Sequence, residues 1–437
     1  MSQPLKKSIH FFGLTMIAVG ACIGAGIFIS PSDVAGQLSE GWQILLVWGI
    51  GGVVTITGAL SFGELASRHP GTGGVYVYLK EAYGDLVAFL YGWCILTVIT
   101  SGAIAALCLA FARYFSILFH TPAAWQIPLG MSALLVVTLI NIAGVKYSAI
   151  FSSGMTAIKV IGIGLIILAC FLLGNQFIPH LSGGAITPGQ TSFGIALVGV
   201  LWSYGGWHHA SYVSGEVVNA QKVVPRALIT GGLIVTLIYV AVNAAYLTVM
   251  SRQEIAQSTA VAADALGKVT VAGGILIAIL ITFSAFGTAG IYTLSAPRIY
   301  FQMGEDKVFF PWLADLHEKF QTPVKAIFLQ SIWAGVLMLF WGTFESLTTY
   351  VVFMDWIFMT MAAIGIFIFR KSKKEIPLAT YKVPLYPIIP LIFIGISIWF
   401  LVSTLIGRPL QAIAGIILMG VGLPIYYFFK KRYKKTT

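Results

Sequence analysis

Apolar residues run along this chain in long blocks separated by short polar loops, instead of recurring every third or fourth position. A helix needs about 20 residues to cross a ~30 Å hydrocarbon core. About twelve blocks reach that length: 9–37, 42–66, 85–117, 124–143, 149–174, 191–215, 224–250, 270–302, 324–342, 346–370, 384–406 and 410–430. The pattern predicts an all-α integral membrane protein with 12 transmembrane helices. Runs such as 85–117 exceed one span and predict tilt or extension into the interface. No loop is long enough for a soluble domain. The longest, Gly304–Pro323, spaces Trp312, Leu313, Leu316 and Phe320 as one helix face and predicts a small helix lying against the membrane. Ser251–Lys268 is polar and helix-compatible, either an outer lid or a connector.

Two blocks are interrupted at their centres. The first carries Gly20, Gly24 and Gly26 within Gly20–Phe28. Gly costs roughly 1 kcal/mol against Ala inside a helix, so the cluster predicts unwinding there. The second carries Trp202-Ser203-Tyr204-Gly205-Gly206-Trp207. Either cluster alone fits close packing through small residues. The pair, about 180 residues apart at the start of two five-span units, points to a transporter site built on discontinuous helices 1 and 6. Five spans is an odd number, so the units face opposite ways across the membrane. This gives a 5+5 inverted-topology repeat: residues 1–174 hold helices 1–5, 191–370 hold helices 6–10, and 384–437 hold helices 11 and 12 with a basic tail.

Composition agrees with a membrane protein. Charged residues are 9% of the 437 and hydrophobic ones 58%, where a soluble domain carries about 25% charged. The first apolar stretch is too long for a signal-peptide core, so the first span is expected to stay in the mature protein. The net charge of +11 is a topology signal and implies no nucleic acid. Of the 26 Lys and Arg, only Arg113, Arg252, Lys268 and Arg408 fall on one side, and Lys159 lies inside a span; the rest fall on the other side. The positive-inside rule then puts both termini in the cytoplasm; Lys430–Lys435 reads first as a cytoplasmic stop signal and, second, as a contact for anionic lipid. Cys22, Cys94, Cys108 and Cys170 lie in apolar spans as free thiols without metal-ligand spacing. No cofactor or metal is implied.

A broken helix exposes donors where its second half begins and acceptors where its first half ends. The amides of Ala25, Gly26 and Ile27 suit a carboxylate. The carbonyls around Cys22 and Ile23, with those of Trp202, Ser203 and Gly205, suit an ammonium group. The ligand matching both is an α-amino acid held mainly by backbone. Lys159 sits ten residues into span 5, about 15 Å along the helix and near mid-bilayer, where snorkelling is hard. An ionisable residue at that depth is a functional candidate. Its ammonium is placed to bond unwound carbonyls of span 1 in the place of a sodium ion, or to carry a proton. Asp355 in span 10 either lines the cavity or pairs with a polar neighbour. Glu64, Arg68 and Glu216, nearer the span ends, suit gating pairs or surface contacts. His208 and His209 lack a second ligand cluster and fit packing or a water-facing role. Tyr204 and Trp207 either cap the site or pack.

At Gly24-Ala25-Gly26-Ile27-Phe28 the chain resembles the amino acid–polyamine–organocation (APC) superfamily, whose first span carries Gly-Ser/Ala-Gly. Ser203-Tyr204-Gly205-Gly206-Trp207, followed by Glu216 and Pro225-Arg226, resembles more narrowly the L-amino acid transporter (LAT) family, the light chains of heteromeric transporters. Within it the chain is similar to bacterial exchangers of alanine, serine and cysteine. The resemblance covers nearly the whole chain. It implies the LeuT/APC-like fold and sodium-independent exchange of neutral L-amino acids by alternating access. By position, Gly24, Ala25 and Gly26 match the family's carboxylate-binding turn, and Trp202, Ser203 and Gly205 its ammonium-binding and gating segment. Lys159 matches a lysine that links substrate release to the inner gate, and Phe353 and Trp356 match positions near the side-chain pocket. Two departures stand out. Ala25 replaces the commoner Ser, and Trp202 replaces the usual Phe; the greater bulk of the tryptophan favours small substrates. Residues 119–128 lack the cysteine by which relatives join a heavy subunit, so no disulfide-linked partner is expected. The rival within transporters is a proton-coupled symporter using Lys159. An enzyme would need a nucleophile–base pair or metal set at one depth, and a channel a filter-like repeat; neither is evident.

Overall fold

The computed structural model describes residues 5–182, 192–341, 344–372, 380–407 and 409–434. Lys373, Lys374, Arg408 and Lys435 of the charge pattern, and residue 191 at the start of the second expected repeat, lie outside them. Among the described residues the regular structure is helical apart from one parallel bridge, Ile9 to Val217. In chain order the helices are α1 (Phe11–Cys22), α2 (Gly26–Gly36), α3 (Gly41–Arg68), α4 (Val75–Tyr83), α5 (Asp85–Cys94) and α6 (Thr100–Phe119). There follow α7 (Gln126–Ile142), α8 (Val145–Leu173), α9 (Phe177–Ser182), α10 (Phe193–Ser203), α11 (His209–Tyr212), α12 (Ala220–Val249), α13 (Arg252–Gln257) and α14 (Val261–Gly267). The last are α15 (Gly273–Ser295), α16 (Pro297–Glu305), α17 (Val324–Trp341), α18 (Phe344–Lys371), α19 (Ile388–Gly407) and α20 (Pro409–Lys434).

Nine helical segments among the described residues are long and apolar enough to cross a membrane. A tenth crossing is the pair α1 and α2, bent by 42°. The apolar helices α10 and α17 are shorter and stand at the two remaining expected positions. The chain is thus a multi-pass membrane protein. The run 85–117 becomes α5 and α6 joined by a π-helical turn, Ile95–Ile99. At the core, α1 packs among α8, α12 and α15, and α3 lies along α12. The outer faces carry exposed Leu135, Leu172, Leu237, Phe340 and Ile406, as a lipid-facing surface requires.

The loops depart from expectation in one place. Gly304–Pro323 forms only a 3-10 turn, Pro311–Ala314, and of its four spaced apolar residues only Leu313 is buried. Asp315 is extended and Gln321 has φ 53°, so no helical stripe forms. Ser251–Lys268 does form helices, α13 and α14. Ser251 caps α13 reciprocally with Glu254, and Arg252 Nη1 holds the carbonyls of Ala35 (3.3 Å) and Leu38 (3.1 Å) past the end of α2.

One end of the bundle collects buried ion pairs. Glu216 and Arg298 face each other fork to fork, at 2.9 and 3.1 Å, with both side chains fully buried. Glu64 takes Arg68 (2.8 Å), Arg370 (2.5 Å) and the Val383 amide (2.9 Å). The Glu216 carbonyl also accepts the amides of Ser8 and Ile9, tying the start of the chain to this end.

Candidate substrate site

The last four carbonyls of a helix have no partner within it, and the first break supplies partners for all four in α1. Val19 takes the Ile23 amide at 2.9 Å. Gly20 takes Lys159 Nζ and Thr288 Oγ1, each at 3.0 Å. Ala21 takes the Tyr292 hydroxyl at 3.3 Å. Cys22 takes the Tyr239 hydroxyl at 2.9 Å and the Gly24 amide at 2.8 Å. Beyond the helix, Ile23 and Gly24 carbonyls take Ser284 Oγ at 3.3 and 3.1 Å. Lys159 is fully buried and also donates to Thr288 Oγ1 at 2.5 Å. The amides of Ala25, Gly26 and Ile27 donate to no carbonyl among the described residues. They open α2, where the dipole is positive.

The second break is sharper. α10 stops at Ser203, a turn runs to His208, and α11 has only four residues. Gly206 has φ 106°, and a Cβ there would stand 2.6 Å from the Ala21 carbonyl oxygen. No other residue fits both constraints. Gly26 is likewise pressed on Trp202 and Ser203, at 3.0 and 3.1 Å from where its Cβ would be. One side chain joins the breaks: the Tyr239 hydroxyl lies 2.9 Å from the Cys22 carbonyl and 3.1 Å from that of Ser203.

Between the breaks lies a cavity of about 100 Å³, several times the about 10–15 Å³ that one water needs. Of the expected site residues, Cys22, Gly24, Ala25, Gly26, Trp202, Ser203, Gly205 and Trp356 line it. Ile23 does not; it is fully buried, with its carbonyl turned to Ser284 and Thr288. Tyr204 points away and donates to the Trp48 carbonyl at 3.0 Å. Lys159 stands behind the α1 end, and Phe353 is buried outside the cavity wall. The carbonyls expected for an ammonium are partly used, since Trp202 accepts the Gly205 amide and Ser203 accepts Tyr239. That of Gly205 accepts none from the described residues.

Three features escaped the sequence reading. Thr288 and Tyr292 line the cavity from α15, and with Ser284 they form a stripe at i, i+4, i+8 that spacing alone would have shown. Tyr239 is one of two tyrosines in an apolar run, with Tyr246, and gave no signal. The π turn at Ile95–Ile99 places Ile99, Gly102 and Ala103 on the cavity. Asp355, expected either to line the cavity or to pair with a polar neighbour, is in the wall, with His208 Nε2 3.5 Å from its Oδ2. His209 is stacked on Tyr292 with ring centroids 4.1 Å apart, and its Nδ1 is 2.7 Å from Ser295 Oγ.

Comparison with known proteins agrees with this architecture. Residues 9–424 match the family described as amino acid permease. The chain is 36% identical over 436 residues, 98% of each chain, to the serine/threonine exchanger SteT of Bacillus subtilis (strain 168). It is 30% identical to the b(0,+)-type amino acid transporter 1 of Mus musculus, over 98% of this chain and 89% of that one. It is 31% identical to the large neutral amino acids transporter small subunit 2 of Homo sapiens, over 97% and 80%. With two broken helices around one small cavity and these relatives along its length, the chain belongs to the amino acid permease family and is a membrane transporter of amino acids, not an enzyme.

Proposed function

We propose that this protein exchanges small neutral L-amino acids, such as alanine, serine and cysteine, across the cell membrane by alternating access and without sodium. The cavity carries the reading: the amides of Ala25 and Gly26, which donate to no carbonyl among the described residues, line it from one side and the turn at Gly205 from the other. The amides hold the carboxylate at the positive end of α2. The Gly205 carbonyl, with the remaining lone pairs of Cys22, Trp202 and Ser203, holds the ammonium. Trp202 and Trp356 narrow the space for the side chain. Lys159 places a positive charge on the end of α1, where a sodium ion would otherwise satisfy the carbonyls, and so couples that end to α8 and α15. Trp202 and Tyr204 move with the second break as its gate.

The architecture behind this reading is twelve crossings in two inverted five-helix repeats, 1–174 and 191–370, with 384–437 outside them and both termini cytoplasmic. All four cysteines are buried and free, which supports a carrier without a disulfide-linked heavy subunit. The test is labelled L-alanine uptake into proteoliposomes, empty or preloaded with L-alanine or L-serine, without sodium or a pH gradient. Exchange predicts uptake that depends on internal amino acid. Equal uptake by empty vesicles would indicate uniport, and uptake only with an imposed proton gradient would indicate symport.

A further inference from the structure

We propose that Asp355, with His208 beside it, is the side-chain subsite of the cavity and selects amino acids whose side chain ends in a hydroxyl. The inference rests on the cavity being an amino acid site. Asp355 comes from α18 and His208 from the turn after α10, and both line the cavity that the two breaks share. His208 is 2% exposed. Its ring is fixed among Trp207, His209 and Tyr212, with centroids 5.7, 5.0 and 5.6 Å away. Its Nε2 stands 3.5 Å from Asp355 Oδ2, too far for a sound N–H···O bond. Neither His208 Nε2 nor Asp355 Oδ1 has a hydrogen-bond partner among the described residues.

Buried polar atoms are nearly always paired, and leaving one unpaired is costly. Of the hydroxyls around the pair, that of Tyr292 donates to the Ala21 carbonyl and those of Tyr91 and Tyr212 bond each other at 2.5 Å, while Ile99, Gly102, Ala103, Val352 and Trp356 of the wall carry no hydroxyl or carboxylate. A cargo side chain entering the cavity can supply the missing partner. A hydroxyl donates once and accepts twice, so it meets both groups at once: its proton goes to Asp355 and its oxygen takes Nε2–H of His208. A methyl meets neither. An ammonium also satisfies Asp355, and meets His208 in the tautomer whose Nε2 is bare, so the discrimination rests on hydroxyl against methyl.

Three side chains of nearly equal size test this: serine, 2-aminobutyrate and 2,3-diaminopropionate, ending in hydroxyl, methyl and ammonium. Each competes with labelled L-alanine for exchange in proteoliposomes. The wild type is expected to show a half-inhibiting concentration about tenfold or more lower for serine than for 2-aminobutyrate. In Asp355→Leu the preference falls to within about twofold, and in the isosteric Asp355→Asn it falls in part. Should a variant not exchange, serine and 2-aminobutyrate are compared by the thermal stabilisation each gives the purified variant. A wild type that treats serine and 2-aminobutyrate alike, or prefers diaminopropionate, overturns the proposal, as does a serine preference that survives Asp355→Leu. Absence of saturable alanine uptake by the wild type defeats the transport reading and this proposal with it. Uptake without discrimination defeats this proposal alone.

Discussion

At the Gly20 carbonyl two donors converge, the Lys159 ammonium and the Thr288 hydroxyl. A charged donor in a buried site contributes about 1.5–3 kcal/mol, more than a neutral one. In Lys159→Ala, Thr288 still bonds Gly20, so the end of α1 is not orphaned. Exchange is expected to fall about tenfold or more while the melting temperature shifts little; a loss of folding in step with activity would make the lysine purely structural. Lys159 was legible in the sequence because one charge in an apolar run has few explanations. Its partner was not. A threonine in a helix can bond the carbonyl four residues back, and the Ser284 carbonyl lies 3.1 Å from the Thr288 hydroxyl as an alternative acceptor for its one proton; nothing in the sequence says that it also reaches another helix.

The broken elements were legible for a different reason: glycine leaves a mark at the residues where backbone must approach backbone. Gly26 on Ser203 and Gly206 on Ala21 are those places. What the glycines do not reveal is how the breaks are tied together. Tyr239 does this with one hydroxyl. Tyr239→Phe keeps the ring against Trp48 and Tyr204 but removes the donor. It is expected to cost about 1–3 kcal/mol of stability, read as a lower melting temperature, and to slow exchange because the breaks no longer move together. The helical spacing in Gly304–Pro323 misled because Pro311 starts a single turn that ends at Asp315. In α13 the capping signal was local and complete. There Lys268 Nζ lies 2.5 Å from Glu254, and that hydrogen bond, with the Ser251 amide, holds the Glu254 carboxyl down to about 2. A lowered folded value stabilises above the ordinary carboxyl value and is lost as pH falls through about 2. Both partners are exposed, so the contribution is at most about 1 kcal/mol. Glu254→Gln should lower the melting temperature slightly at pH 7, and the difference should shrink below about pH 5 and be largely gone at pH 2.

Across the whole molecule the ion pairs are unevenly distributed. Glu216–Arg298 and the Glu64 cluster lie buried at one end, while Glu254–Lys268 is exposed in the loop that holds α2. On the proposed topology the buried end is cytoplasmic, so opening the cavity inward requires separating charges that have already left water, whereas opening it outward does not. Breaking a buried pair by removing one partner costs about 3–5 kcal/mol, while replacing both by neutral groups of similar volume is often neutral or favourable. Exchange requires that the empty carrier reorient more slowly than the loaded one, so binding of the cargo has to offset part of the cost of opening this end. If the Glu216–Arg298 lock sets the barrier for the empty carrier, Glu216→Gln combined with Arg298→Met lowers that barrier without leaving a lone buried charge. Alanine uptake into empty vesicles should then rise toward that into preloaded ones, the ratio of preloaded to empty uptake falling several-fold (~1 kcal/mol or more of barrier), with folding intact. An unchanged ratio in a well-folded double variant would place the barrier elsewhere, with the Glu64 cluster and its Arg370 contact the next pair to neutralise.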